Sequence, residues 1–388
     1  MKQLWQRLKA YPATVLFFLF IFGFMIVDAT YPTREFSELE NTKLSQRPAF
    51  SFSALMNNEW TADYASYIKD QVAFRDAWID LQSRSESLLF QKAELGGMLM
   101  GKDNMMFTRM FALKRTEQKQ LPANISAVEQ FAARHPGQVT FLLAPSASVI
   151  YSDYLPFHAP MLDESGYLDE IFSRVEAAGA NILDLRGLFT EHRDEYLYYR
   201  TDHHWTTHGA YLAYTAFCRQ QGLVPFDTAA HQAVEVENFY GTSYSASRAW
   251  NAVPDILTYY ELPNQMTIYN TPAEGVYETA STGKMYNYDA LSTRDKYAVF
   301  LHGNPGYSVI EGDGEGSILV VKDSYANSFI PFLTANYAKV GVVDFRNFPY
   351  GLDGLMQNEG YEQVLILYNF QTFKSDGKLY TLNRNPIE

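Results

Sequence analysis

Cysteine is almost absent from this chain of 388 residues, in which Cys218 is the only one. A lone cysteine excludes an internal disulfide framework and any metal site built from several cysteines. Basic side chains are also outnumbered, because 31 Lys and Arg stand against 44 Asp and Glu and leave a net charge of −13. Nucleic-acid binding depends on clustered Lys and Arg that neutralise phosphates, so we expect no nucleic-acid partner.

Apolar residues, by contrast, make up 47% of the chain, which excludes a disordered protein. One hydrophobic core seldom serves more than about 250–300 residues, so we expect a large domain with a smaller appendage. The sequence pattern places a cytoplasmic tip and transmembrane signal anchor at 1–29 and a membrane-proximal helical region with a hairpin at 30–110. The predicted catalytic domain then occupies 111–388.

A long uncharged run near the N-terminus predicts insertion into a membrane. The 18 residues between Lys9 and Asp28 carry no charge, a length at the lower limit for a spanning helix. Lys2 and Arg7 precede this run, so the positive-inside rule keeps the N-terminus in the cytoplasm and exports the rest of the chain. The alternative is a signal peptide that is cleaved near 27–29 and releases a secreted protein.

From residue 139 onward, short apolar runs alternate with stretches of helical period. The runs are 139–144, 181–185, 318–321, 339–343 and 364–368. Continuous apolar runs are typical of strands covered on both faces, which predicts a parallel sheet flanked by helices. We expect helices at 165–178, 207–221 and 325–335, and a β-rich insertion at 224–316 between the second and third strands. In such sheets, functional residues are expected just after the strands.

Three of the eight histidines of the chain fall within 201–208. Asp202 and His204 are two residues apart, so in extended backbone both side chains project to the same side. A carboxylate that holds one imidazole nitrogen leaves the other free to act as a general base. Two alternatives stay open: the polar residues simply pair near a helix start, or Asp202, His204 and His208 bind a metal ion.

A general base needs a nucleophile, and Ser324 follows the apolar run at 318–321 and precedes a helical stretch. Backbone N–H groups at a helix start stabilise an oxyanion beside such a serine. Ser324 could instead be a plain N-cap, and Ser243 in a Gly-x-Ser turn is a competing nucleophile. Asn369 and Arg346 follow two further strands and are candidate oxyanion donors, although Arg346 could equally form a salt bridge or bind a sugar or carboxylate.

The segments Asp202-His203-His204-Trp205 and Lys322-Asp323-Ser324-Tyr325-Ala326-Asn327 resemble the DHHW family. That family is related to the alginate O-acetyltransferases and, through them, to the SGNH hydrolases. The resemblance implies a three-layer SGNH hydrolase-like fold with a circularly permuted motif order, since Asp202 and His204 precede Ser324. It implies Ser324 as the nucleophile, His204 as the base and Asp202 as its orienting partner. Ser324, Asn369 and Arg346 would surround the oxyanion, although the strand end at 344–346 departs from the SGNH glycine motif.

By this resemblance we expect an extracytoplasmic O-acetyltransferase that acts through an acyl-serine on a cell-surface or exported polysaccharide. His203, Trp205 and Tyr325 would contact the substrate, and neither a metal nor another cofactor is expected. The resemblance also implies a membrane-bound O-acyltransferase as the partner that supplies the acyl group. Two alternatives remain: a carbohydrate acetylesterase that uses the same three residues, and a non-catalytic polysaccharide-binding or scaffold protein.

Overall fold

The computed structural model describes residues 10–40 and 42–384. Three residues on which the predicted topology depends, Lys2, Arg7 and Lys9, lie outside these ranges. The chain forms two compact units, Met1–Gln91 and Lys92–Glu388. The boundary falls inside the predicted membrane-proximal region, so the hairpin of that region belongs to the second unit.

The first unit begins with a long apolar helix and continues with short elements. These are α1 (Pro12–Thr30), β1 (Phe36–Ser37), β2 (Thr42–Lys43), α2 (Phe52–Met56), α3 (Glu59–Gln71) and α4 (Arg75–Leu88). Among the described residues, α1 is the one helix long and apolar enough to cross a membrane. Its 19 residues span about 28 Å at a rise of about 1.5 Å per residue, which matches a hydrocarbon core of about 30 Å.

The second unit starts with a small antiparallel sheet that contains the predicted hairpin. Its strands are β3 (Glu94–Leu95), β4 (Met98–Met100) and β5 (Met106–Thr108). The α-helices that follow are α5 (Glu117–Arg134), α6 (Ala147–Ile150), α7 (Glu164–Ala177), α8 (Arg186–Glu191), α9 (Thr207–Gln221), α10 (Thr242–Ser247), α11 (Ile330–Leu333), α12 (Leu352–Glu359) and α13 (Phe370–Phe373). The strands that follow are β6 (Val139–Ala144), β7 (Asn181–Ile182), β8 (Ala233–Phe239), β9 (Asp255–Tyr260), β10 (Gln265–Ala273), β11 (Val276–Lys284), β12 (Tyr307–Glu311), β13 (Ser317–Lys322), β14 (Lys339–Val343) and β15 (Gln363–Asn369).

A mixed eight-stranded sheet organises this unit, with the strand order β11-β10-β12-β14-β13-β15-β6-β7. Alternate residues of its central strands point into two separate cores. In β13, Ile318 and Val320 pack in the core that contains side chains of α9, whereas Leu319 and Val321 pack with α5 and α7. Both faces are therefore covered, and this is why the central strands read as continuous apolar runs.

The prediction of a parallel sheet is correct for only part of the sheet. Strands β14, β13, β15, β6 and β7 are parallel, but β10, β11 and β12 add to the sheet in antiparallel pairing. These three strands come from the β-rich segment, so part of this segment extends the main sheet, while its strands β8 and β9 form a separate two-stranded sheet. Most of β11 is exposed, as a polar edge strand should be.

Two predicted elements are shorter than expected. The run at 181–185 forms only the two-residue strand β7, because the Asp184 carboxylate accepts the backbone N–H of Arg186 at 3.0 Å and starts a turn there. The helix expected at 325–335 is divided into a 3-10 turn, Ser324–Ser328, and the short helix α11. By contrast, α9 matches its predicted bounds of 207–221 and ends at Gly222 in the left-handed conformation.

Candidate active site

The carboxyl end of β13 places Ser324 opposite a loop that carries Asp202 and His204. The Nδ1 atom of His204 lies 2.5 Å from Oδ1 of Asp202, and its Nε2 atom lies 2.8 Å from Oγ of Ser324. Asp202 and His204 are buried, whereas Ser324 is partly exposed and open to a reactant. With the Nδ1 proton donated to the carboxylate, Nε2 is the acceptor for the serine hydroxyl proton.

A turn rather than an extended strand brings Asp202 to His204. Oδ1 of Asp202 accepts the backbone N–H of His204 at 2.9 Å as well as the ring N–H. The loop is closed by a bridge between Tyr198 and Trp205 and by the N–H of Tyr199, which donates to the carbonyl of His204 at 3.2 Å. The prediction that these two side chains meet is correct, but the alternation argument behind it is wrong.

The β-rich insertion holds the second oxygen of Asp202. Thr242 donates its backbone N–H at 2.7 Å and its hydroxyl at 3.0 Å to Oδ2. A Cβ atom on Gly241 would lie 2.1 Å from the same oxygen, so the close approach requires glycine. Burial disfavours the ionised form, but the charges of His204 and His203 and these hydrogen bonds outweigh it and hold the pKa of Asp202 well below its usual value.

His203 lies on the solvent-facing side of the contact between Asp202 and Thr242. Its Nδ1 atom lies 2.6 Å from the hydroxyl oxygen of Thr242. Since that hydroxyl donates to Asp202, the ring nitrogen of His203 must be the donor. Burial and the neighbouring His204 lower the pKa of His203 to about 4, so the ring is neutral near pH 7. The side chain is 33% exposed, which leaves it accessible to a ligand.

Tyr297, which also comes from the insertion, covers the imidazole. Its ring stacks on the ring of His204 with centroids 4.0 Å apart and planes 11° apart. Its hydroxyl donates to the carbonyl of Ser324 at 3.1 Å. Tyr297 therefore contacts both His204 and the backbone of Ser324 with one side chain.

The carboxylate of Asp323 fixes the turn that carries Ser324. One oxygen accepts the backbone N–H of Tyr325 at 2.8 Å, and the other accepts the backbone N–H of Asn369 at 2.8 Å. Asp323 thus connects the ends of β13 and β15. Burial raises the pKa of this carboxyl group.

Asn369 is buried beside this turn. Its Oδ1 atom accepts the N–H of Gln371 at 2.9 Å, and its Nδ2 atom lies 3.5 Å from the carbonyl of Ala144. The amide therefore caps α13, and the 3.5 Å contact is too long to hold Nδ2 firmly. Nδ2 is the donor that the predicted oxyanion role of Asn369 would require.

Arg346 forms the salt bridge that was the alternative to an oxyanion role. Its Nε and Nη2 atoms lie 2.9 Å and 2.5 Å from the carboxylate of Asp344, and its side chain is 44% exposed. This pairing raises the pKa of Arg346. Lys322 is fully buried, and its Nζ atom lies 3.5 Å from the carboxylate of Asp344. It donates to Oδ1 of Asn304 at 2.8 Å, and burial lowers its pKa to about 8.

Trp205 and Tyr325, both predicted to contact substrate, lie in the interior. Trp205 is fully buried, and its Nε1–H donates to the carbonyl of Tyr325 at 2.9 Å. The hydroxyl of Tyr325 donates to the carbonyl of His203. In the structure these two residues join the histidine loop to the serine turn, and of the three predicted contacts only His203 reaches the surface.

Asp202, His203 and His204 lie close enough for one ligand atom from each to bind a metal ion, within 4.8 Å of one another. However, both ring nitrogens of His204 already have protein partners. His208, which completes the alternative metal set, lies on α9 and its Nε2 atom is 2.8 Å from Glu195. Ser243, the competing nucleophile, is buried within α10.

Sequence reasoning missed Thr242, Tyr297 and Asp323. Asp323 could have been found, because an Asx N-cap before a short helical turn has a local signature. Thr242 begins the short helix α10 and Tyr297 lies in a 3-10 turn of the insertion, and their contacts depend on how the insertion folds back. The periodicity of apolar residues in the sequence does not predict long-range contacts of this kind.

Comparison with protein families supports the relationship suggested by the motifs. Residues 171–343 match the model described as DHHW protein, and residues 98–240 match the model described as SGNH hydrolase-like domain, acetyltransferase AlgX. The resemblance predicted from the sequence is thereby confirmed. The probable alginate O-acetylase AlgJ of Pseudomonas syringae pv. tomato is 20% identical over 204 residues. That match covers 51% of this chain and 50% of the relative, so the chain spans about half the length of that protein.

Two solved structures share the fold. A DHHW family protein from Eubacterium siraeum has a TM-score of 0.60 at 20% identity, covering 76% of this chain and 98% of its own. Bacillus cereus PatB1, solved with a sulfonyl adduct, has a TM-score of 0.57 at 19% identity, covering 74% and 98%. At these identities the likeness establishes the α/β architecture with its mixed sheet.

Proposed function

We propose that this chain, whose core resembles the DHHW and AlgX-type acetyltransferase domains, is a membrane-anchored, extracytoplasmic O-acetyltransferase. It transfers acetyl groups through an acyl-serine to hydroxyl groups of a cell-surface or exported polysaccharide. The observation that carries the proposal is the continuous hydrogen-bonded series from Asp202 through His204 to the partly exposed hydroxyl of Ser324. The permuted order of these residues along the chain is part of the same proposal.

In the first step, Oγ of Ser324 attacks the carbonyl carbon of an acetyl donor while Nε2 of His204 takes the serine proton. The tetrahedral intermediate collapses, the bond to the donor oxygen breaks, and His204 returns its proton to that oxygen. Asp202 keeps Nδ1 protonated and stabilises the imidazolium that forms. Its low pKa means that it stays ionised throughout this cycle.

In the second step, a sugar hydroxyl gives its proton to His204 and attacks the acetyl carbon bound to Ser324. The ester oxygen of the serine leaves and regains a proton from His204, which restores the enzyme. If water attacks instead, the product is free acetate. The partial exposure of Ser324 admits a bulky acceptor such as a polysaccharide.

The developing negative charge needs hydrogen-bond donors that are already in place. We assign this role to the backbone N–H of Ser324 at the start of its helical turn and to Nδ2 of Asn369. Arg346 adds a fixed positive charge at the neighbouring strand end, because Asp344 holds its guanidinium from behind. Removal of one such donor typically lowers the rate by about 100- to 1000-fold.

The contacts of Asp28 support an uncleaved anchor. Its carboxylate accepts the backbone N–H of Ala73 at 2.7 Å, so the C-terminal end of α1 is part of the folded first unit. Cleavage near 27–29 would remove this contact. We therefore propose a single span through α1, with the acyl group delivered by a membrane-bound O-acyltransferase partner.

Hydrolysis of an activated acetyl ester by the full chain tests the proposal. Ser324→Ala should abolish turnover, whereas Ser243→Ala, which changes a buried serine outside the hydrogen-bonded series, should retain it. Full activity of the Ser324→Ala protein would refute the mechanism. Adding a deacetylated polysaccharide then separates the two chemistries, since transfer to the glycan supports the transferase and release of acetate alone supports the esterase.

A further inference from the structure

The helix α4 presents a row of apolar side chains to solvent, whereas several of its polar side chains make contacts within the first unit. Phe74, Trp78, Leu81 and Leu88 are 50%, 43%, 54% and 57% exposed. Their spacing of 4, 3 and 7 residues places them on one face of the helix. Leu89, 76% exposed, extends this apolar face at its C-terminal end.

The opposite side of α4 is occupied by polar contacts within the first unit. Arg75 forms a salt bridge with Glu40 although its side chain is only 11% exposed. Asp76 forms a salt bridge with Arg34 at 2.7 Å. Ser83, half a turn away from the apolar face, is buried. A helix at a water-facing surface normally shows the reverse pattern, with apolar side chains inside.

The apolar face is continuous with the surface of α1. The ring of Trp78 lies 6.1 Å from the ring of Phe24, and the ring of Phe74 lies 5.2 Å from that of Tyr31. Because Asp28 also holds the N–H of Ala73, the start of α4 is fixed beside the last two turns of α1. Residue 24 lies six positions before the end of α1, or about 9 Å along the axis.

From these observations we infer that α4 lies in the membrane interface, with the face formed by Phe74, Trp78, Leu81, Leu88 and Leu89 embedded in lipid. Interfacial helices bury their apolar side about 5–10 Å into the boundary between headgroups and acyl chains, which agrees with the depth set by Phe24. Tryptophan is enriched at this level because its ring is amphipathic. Arg84 flanks the face and is exposed, where it can reach lipid phosphates.

This inference rests on the proposed membrane span and is independent of the proposed chemistry. It gives the first unit a function besides tethering: α4 fixes the tilt and height of that unit at the bilayer surface.

Spin labelling of the full chain in bilayers of phosphatidylethanolamine and phosphatidylglycerol tests the inference. Labels are attached one at a time at Leu81→Cys, Leu88→Cys, Gln82→Cys and the span control Leu19→Cys, in a Cys218→Ala background. Val224→Cys in the second unit gives the aqueous reference. Collision with oxygen, which dissolves in lipid, is compared with collision with a water-soluble nickel chelate.

We expect labels at 81 and 88 to report a depth of about 5–10 Å below the phosphates, with the label at 82 shallower and the label at 19 deepest. The inference would be overturned if the labels at 81 and 88 collide with the nickel chelate as often as the label at 224. If the label at 19 is at the same time accessible to oxygen and not to nickel, the membrane span of α1 is still supported. Low access to both reagents at 81 and 88 would also overturn the inference, since the face would then be covered by protein. Nickel access at position 19 would refute the span itself.

Discussion

The parallel half of the main sheet and the β-rich insertion contribute differently to the candidate site. The parallel half supplies Ser324 and Asn369 directly from the carboxyl ends of β13 and β15. The insertion supplies no reacting group, but its Thr242 and Tyr297 hold Asp202 and His204. Under the proposed mechanism, the reacting groups and the residues that position them lie in separate parts of the chain, and variants of each part should differ in the size of their effects.

The largest loss of activity should come from Asp202→Asn, because Asp202 contacts both Thr242 of the insertion and His204, which contacts Ser324. An amide there presents N–H groups to His204 and favours the wrong tautomer, so turnover of an acetyl ester should fall about 10⁴-fold. His208→Gln is the matched control, because His208 pairs with Glu195 and not with the site. Equal losses in both variants would instead support a metal bound by Asp202, His204 and His208.

A buried carboxyl group on a helix that packs against the parallel half of the sheet should make the stability of the protein depend on pH. Glu164 is buried at the start of α7, accepts the N–H of Ser146 at 2.7 Å, and has its pKa raised by burial to about 7. Its folded pKa exceeds its unfolded pKa, so its contribution to stability is fully present below about pH 4.5 and is lost as the pH rises through about 7.

The free energy of unfolding of the unaltered chain should decrease between about pH 5 and about pH 8. In the Glu164→Gln protein this decrease should be smaller, by up to about 3 kcal/mol. Denaturant unfolding of the full chain in detergent at both pH values measures this difference. Glu170→Gln, at an exposed position of the same helix, should leave the decrease unchanged. An unaltered pH dependence in the Glu164→Gln protein would contradict the assignment.

A smaller effect is expected from the insertion. Thr242→Val removes the hydroxyl bond to the Asp202 carboxylate but keeps the backbone N–H bond. A hydrogen bond to a charged group contributes about 2 kcal/mol, so turnover should fall about 30-fold. Thr242→Ser keeps the hydroxyl and should restore most of the rate, and a Thr242→Val protein with full activity would show that the insertion does not position Asp202.

The same contrast explains what could be predicted from the sequence. Buried strands have continuous apolar runs, so β6, β13, β14 and β15 and the residues at their ends could be located before the structure. The antiparallel strands β10 and β11 are largely exposed, and the pairing of β12 with β14 depends on long-range register that local periodicity does not contain.

Side-chain direction was equally hard to predict. The family resemblance predicts Trp205 and Tyr325 at the substrate. Each instead uses its polar atom for an internal hydrogen bond, which only the folded arrangement of the two loops makes possible. The inverted exposure of α4 could not be predicted for the same reason, since its apolar spacing alone is that of an ordinary core-facing helix.

The central claim is that Ser324 carries the acyl group, and peptide mass spectrometry after brief exposure to an activated acetyl donor tests it most directly. The account predicts acetylation of the peptide that contains Ser324 in the unaltered chain and its loss in the Ser324→Ala and His204→Ala proteins. Turnover that continues without an adduct on Ser324, or an adduct that forms equally well without His204, would contradict it.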